Sequence, residues 1–171
     1  MRCVVLLRGV NVGKQHRISM PAFREVLLAV GGTDVQTYVQ SGNAVLGWQD
    51  SPARLEQSVA DALVRAGLSV LVMVRTAAEL AAVVRANPYA GEQVDPKLLH
   101  VAFLAGPPDL ARVAALDHAA LLPDRLVVSE REPYLRYATS SQRSPLARVR
   151  LGVEATARNW RTVTALRELS A

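Results

Sequence analysis

A hairpin set between two helices does most to limit the folds open to this chain. Residues 34–48, DVQTYVQSGNAVLGW, contain two short β runs broken at Ser41, Gly42 and Asn43. The glycine supplies a positive φ and its neighbours supply local hydrogen bonds, which is the chemistry of a tight reversal. Ahead of the hairpin, MPAFREVLLAVGG (20–32) reads as a helix with Pro21 in its first turn, Phe23, Val26, Leu27 and Val30 on one face, and Gly31 and Gly32 as its stop. Behind it, SPARLEQSVADALVRAG (51–67) reads as another. Ser51 is its N-cap, Pro52 its first helical residue and Gly67 its end, with Leu55, Val59 and Leu63 at helical spacing. The apolar runs CVVLL (3–7) and SVLVMVR (69–75) frame this set as strands, so the first half runs β-α-β-β-α-β.

The second half repeats most of that order. A helix in TAAELAAVVRANP (76–88), capped by Thr76 with Glu79 three residues on and halted before Pro88, leads into a loop that ends near Pro96. Next come the strand LLHVAFLAG (98–106), the helix PDLARVAALDHAAL (108–121) and the strands RLVVSE (125–130) and YLRYA (134–138). Helical segments follow at SPLARVRLG (144–152) and ARNWRTVTALREL (157–169), the latter with Thr156 as a candidate cap. The expectation is an α+β chain. A ferredoxin-like β-α-β-β-α-β unit spans residues 1–75, a linking helix and loop span 76–97, and a second, incomplete ferredoxin-like β-α-β-β-α unit with C-terminal helices spans 98–171. Helices cover antiparallel sheets in both.

A chain of 171 residues, 50% hydrophobic and 20% charged, is long enough to bury a sizeable core. It has no run of about 18 apolar residues to cross a bilayer, and its apolar N-terminal stretch is too short for a signal sequence. These features read as a soluble cytoplasmic protein with no membrane partner. The single cysteine, Cys3, has no internal disulfide partner and reads as a small buried hydrophobe rather than a nucleophile. The net charge of +5 is concentrated at the ends. Arg2, Arg8, Lys14, Arg17 and Arg24 precede the first acid, Glu25, and six arginines from Arg143 onward face only Glu154 and Glu168. Converging ends would form an anion-attracting face; a chain with 18 Arg and 2 Lys also acquires such charge from composition alone.

In a ferredoxin-like unit the first two strands run parallel with the third between them, so their C-terminal loops are neighbours. That brings residues 8–17 beside the turn at residues 40–43. The segment LLRGVNVGKQH (6–16) has glycines and a lysine after a strand, yet it is not a Walker loop. It is one residue short, has Gln15 in place of the Mg²⁺-binding hydroxyl, and its helix starts too late. Two readings stay open: an anion nest, with Gly9 and Gly13 turning N–H groups toward a ligand beside Arg8, Lys14, His16 and Arg17, or a surface connection whose glycines serve its turns. His16, His100 and His118 are too dispersed for a metal site. No nucleophile elbow or carboxylate pair stands out, so no cofactor and no catalytic residue are assigned. Strands without aromatic pairs do not suit an RNA-recognition domain. Trp160, Val163 and Leu166 share a helical face, as core or as a docking surface.

RGVNVGKQHRISM (8–20), TYVQSGNAVL (37–46), NPY (87–89), HVAFL (100–104) and TARNWRTV (156–163) together resemble, in order and spacing, the bacterial domain of unknown function family 1697 over essentially the whole chain. The resemblance implies an α+β fold related to ferredoxin-like units and brings no established activity. It marks Arg8, Gly9, Asn11, Gly13, Tyr38, Gln40, Ser41, Gly42, Asn43, Arg158, Asn159, Trp160 and Thr162. Lys14 departs from the family's second glycine, and SSQRSPL (140–146) replaces a more glycine-containing segment. The expected ligand-binding set is Arg8, Gly9, Asn11, Gly13, Lys14, Gln40, Ser41 and Asn43, joined by Arg158 and Asn159. The expected ligand is a phosphate-containing anion or a nucleic acid. The alternatives are an enzyme acting on a phosphorylated small molecule and a protein-interaction module built on the Trp160 helix.

Overall fold

The computed structural model describes residues 1–171. It divides into two compact units, residues 1–84 with 165–171, and residues 85–164. The first contains strand β1 (Arg2–Leu7), helix α1 (Met20–Ala29), strands β2 (Thr33–Tyr38) and β3 (Asn43–Gly47), helix α2 (Pro52–Arg65) and strand β4 (Val72–Thr76), with helix α3 (Ala77–Arg85) following directly. These strands form one antiparallel sheet in the order β2-β3-β1-β4. Alternate residues of β1, Cys3, Val5 and Leu7, join Phe23 and Leu27 of α1 and Leu55, Val59 and Leu63 of α2 in one core, so both helices lie on one face of the sheet.

The local signals act as their chemistry predicts. Ser19 and Ser51 accept hydrogen bonds from the amides of Ala22 and Arg54, each just ahead of a proline in the first helical turn. Thr76 and Glu79 cap α3 reciprocally, with Thr76 N donating to Glu79 Oε2 at 2.7 Å and Glu79 N to Thr76 Oγ1 at 3.1 Å. α3 buries Leu80 and Val83 and falls almost wholly within the first unit, as do the last seven residues of the chain, instead of in the separate connector and second subdomain expected of them.

The second unit contains strand β5 (Leu99–Leu104), short helices α4 (Leu110–Ala114) and α5 (His118–Leu121), strands β6 (Arg125–Val127) and β7 (Tyr134–Arg136), a turn of 3-10 helix at Pro145–Arg148, and strand β8 (Ala155–Asn159). Helix α6 (Trp160–Leu169) ends the chain. The sheet order is β6-β7-β5-β8, again antiparallel. Two expectations are corrected here. The second unit is not short of a strand: residues 155–159 form β8, which takes in the candidate cap Thr156 and residues 157–159 that were expected to open the last helix. Nor is 108–121 one helix, because Asp117 accepts from the amides of Ala119 and Ala120 and starts a new turn. No helix is long and apolar enough to cross a membrane.

A candidate anion site at the end of the first strand

β1 delivers the chain into residues 8–18, a run of turns whose backbone changes hand repeatedly. φ is positive at Gly9 (65°), Asn11 (58°), Gly13 (70°) and His16 (52°). Glycine adopts this region at no steric cost, and Asn tolerates it because its short amide bonds locally. Asn11 does more than tolerate it. Its Nδ2 donates to the carbonyls of Ile18 at 2.8 Å and Gln40 at 2.7 Å, and its Oδ1 accepts from Ile18 N at 3.0 Å. One side chain therefore closes the loop on itself and ties it to the hairpin turn.

The turn itself presses against the end of β1. Leu7 N donates to Gly42 O at 2.8 Å. Gly42 has φ 79°, and a Cβ there would lie 2.6 Å from Val10 Cγ2 and 2.8 Å from Leu7 Cβ. Asn43 is fully buried, with Nδ2 donating to Tyr38 O at 3.0 Å and to Ser41 Oγ at 2.9 Å. The neighbourhood that strand order implied is thus direct contact.

Between loop and turn lies an open cleft of about 510 Å³ lined by Asn11, Arg17, Ile18, Ser19 and Gln40. It opens at the N-terminus of α1, where the helix dipole is positive and the first turn carries no acid. Arg17 folds back over the loop, its Nη2 donating to Gly13 O at 2.9 Å. Arg8, Gly9, Gly13, Lys14, Gln40 and Ser41 are exposed here, whereas buried Asn43 serves the hairpin. Ile18 and Ser19 escaped the sequence reading; a serine one residue before Met20-Pro21 was the available signal for a helix start at this place.

Arg158 and Asn159 have duties within the second unit. Arg158 is buried in β8, with Nη1 donating to Thr156 Oγ1 at 2.7 Å and Ala157 O at 2.9 Å. Burial lowers its pKa to about 10. Asn159, not Thr156, caps α6, accepting from Thr162 N at 3.0 Å. Trp160 is half-buried, and Val163 and Leu166 are fully buried. His100 lies on β5 with its ring 3.0 Å from Lys97 O, and burial lowers its pKa.

Val39 stands out in the turn. It is β-branched, has φ 49° and is 48% exposed, so its side chain buries little in return for the backbone strain. Val39→Asn is expected to raise stability by about 1 kcal/mol, seen as a higher urea midpoint. An unchanged or lower midpoint would show that the isopropyl group holds the turn.

The family model described as protein of unknown function (DUF1697) matches residues 1–134. That span includes the loop and the hairpin turn but stops short of TARNWRTV at 156–163, so the match is narrower than the whole-chain resemblance. No curated protein matches the chain. Among solved structures, a conserved bacterial protein, SP0830 from Streptococcus pneumoniae, is similar with a TM-score of 0.75 at 20% identity, over 99% of this chain and 98% of that one. At that identity the likeness concerns the fold.

Proposed function

The chain belongs to the DUF1697 family, and from that premise we propose that it binds a phosphate-containing anion at the edge formed by residues 8–17 and 40–43. The observation that carries this reading is the alternation of φ along the loop, positive at Gly9, Asn11 and Gly13 and not at Val10 or Val12. Alternating hand turns successive N–H groups toward one side, which is how a backbone nest receives an anion. The amides of Gly13 and Lys14 make no hydrogen bond within the chain, and the charges of Lys14 and Arg17 stand beside them. The adjoining cleft offers amide groups, a guanidinium and a helix N-terminus, groups that hold an anion rather than transform it. This favours binding over catalysis. A free, buried cysteine suits a cytoplasmic setting for such a protein.

Arg17→Ala is expected to weaken binding of inorganic phosphate or pyrophosphate about tenfold, the effect of one lost charge-assisted hydrogen bond. Calorimetric titration at low and moderate salt checks this, with a single-stranded oligonucleotide as the parallel ligand. A logarithmic salt slope near one fits a single phosphate, and a slope of several fits a polynucleotide. Absence of binding to all three ligands at low salt removes the reading.

We also read the two sheets as copies of one ferredoxin-like unit. Both follow one strand order. In both, the third residue of the first strand pairs with an arginine at the fourth position of the last: Val4 with Arg75, and Val101 with Arg158. Both arginines are buried, and each donates from Nη1 to the carbonyl of its preceding residue, Val74 at 3.0 Å and Ala157 at 2.9 Å. A matched buried charge is costly to hold and rare by chance, which supports duplication despite the lack of apparent sequence identity between the halves.

A further inference from the structure

The cleft beside the loop has room for more than a phosphate. At about 510 Å³ it falls within the range of small-molecule sites, and its walls, Asn11, Arg17, Ile18, Ser19 and Gln40, carry a single charge, that of Arg17. No acid lines it. The first acid of the chain, Glu25, lies more than a turn into α1 and meets Arg24 at 3.7 Å. A cationic group on a ligand would therefore meet Arg17 and no carboxylate, so the organic part that suits this cleft is uncharged.

The wall groups differ in what they have left to offer. Both amide hydrogens of Asn11 are spent, on Ile18 O and Gln40 O. Gln40 is the reverse: Asn11 holds its backbone carbonyl at 2.7 Å, while its exposed side-chain amide bonds to no group of the chain and keeps its donors and its acceptor. Ser19 Oγ accepts from Ala22 N at 3.2 Å as the cap of α1, which leaves the hydroxyl hydrogen to donate. Ile18, half-buried, is the one apolar side chain on the wall. Ligand hydroxyls, which donate and accept alike, match the Gln40 amide and the Ser19 hydroxyl; an alkyl group would displace water from both and return no hydrogen bond.

We propose that the ligand is the phosphate monoester of a polyhydroxylated, sugar-like alcohol, with its phosphate at the loop and its hydroxyls on Gln40 and Ser19. The proposal rests on the anion reading of residues 8–17 and adds Gln40 as the residue that selects the organic part.

Calorimetric titration of the full chain with inorganic phosphate, glucose 6-phosphate, butyl phosphate and phosphocholine checks it. Glucose 6-phosphate is expected to bind about tenfold more tightly than inorganic phosphate, the effect of about two neutral hydrogen bonds. Butyl phosphate and phosphocholine are expected to bind no more tightly than inorganic phosphate. Gln40→Ala keeps the backbone carbonyl that Asn11 holds and deletes only an exposed amide, so the variant keeps its fold. Its preference for glucose 6-phosphate over inorganic phosphate is expected to fall about fivefold. Three results would each overturn this inference and leave phosphate binding at the loop intact: glucose 6-phosphate binding no more tightly than inorganic phosphate, butyl phosphate or phosphocholine matching it, or Gln40→Ala retaining the full preference. Absence of binding by all four ligands would overturn both readings.

Discussion

Gly42→Ala is expected to lower the unfolding free energy by about 3 kcal/mol, one of the two largest effects anticipated for a single change near the candidate site. Two costs combine. An L-residue held at φ 79° loses about 1–2 kcal/mol relative to glycine. The added Cβ would also lie 2.6 Å from Val10 Cγ2 and 2.8 Å from Leu7 Cβ, neither of which can retreat, because Leu7 is fully buried and Val10 is 1% exposed. Overpacking of this kind costs about 1–3 kcal/mol. Gly13→Ala provides the control. It has a similar φ of 70° with nothing within 4 Å of the new Cβ, so it bears only the backbone cost, about 1 kcal/mol. Urea unfolding of both variants isolates the packing contribution. A Gly42→Ala loss no greater than that of Gly13→Ala would mean that the turn does not bear on the end of β1.

The elements that were legible in the sequence are those whose signals are local and redundant. α1 and α2 carry a cap, a proline at the start, a glycine after the end and an apolar face at period 3.6, and each signal agrees with the others. β8 was illegible because its inward positions are Thr156 and Arg158, so the alternation that marks a half-buried strand is present in burial and absent in hydrophobicity. The following residues are good helix formers, and the strand was absorbed into the helix they make. α4 and α5 were merged for a related reason: alanine-rich sequence favours helix throughout, while the Asp117 cap acts at a single position.

The candidate site divides the same way. Meeting of the two loops follows from strand order, and the structure has them in contact at Asn11 and Gln40. The duties of individual residues were not legible. Nothing in the spacing distinguishes exposed Ser41 from wholly buried Asn43, two positions on, because both are small polar residues in a turn. Nor does spacing reveal that Arg158 is spent inside β8. A side chain's direction at a loop depends on φ at each step, and only the glycines announce theirs.

Asn11→Ala is expected to cost about 4 kcal/mol, hydrogen bonds and backbone strain together, although it removes no charge and little buried surface. The change deletes three hydrogen bonds, to Ile18 O, Ile18 N and Gln40 O, each worth about 1 kcal/mol at a partly buried site. Alanine at φ 58° adds backbone strain that Asn11→Gly avoids, so the glycine variant is expected to recover about 1 kcal/mol. Loop geometry and loop charge make separable contributions to the proposed anion binding. Asn11→Gly keeps Lys14, Arg17 and the capacity for φ > 0 but unlatches the loop from the turn, so phosphate affinity is expected to fall with no change in its salt dependence. Arg17→Ala keeps the latch and removes a charge, so affinity and salt dependence are expected to fall together. Measured side by side, the two variants decide whether the nest or the charge holds the anion. If Asn11→Gly binds phosphate as the wild type does, the backbone geometry is irrelevant to binding and Asn11 serves stability alone.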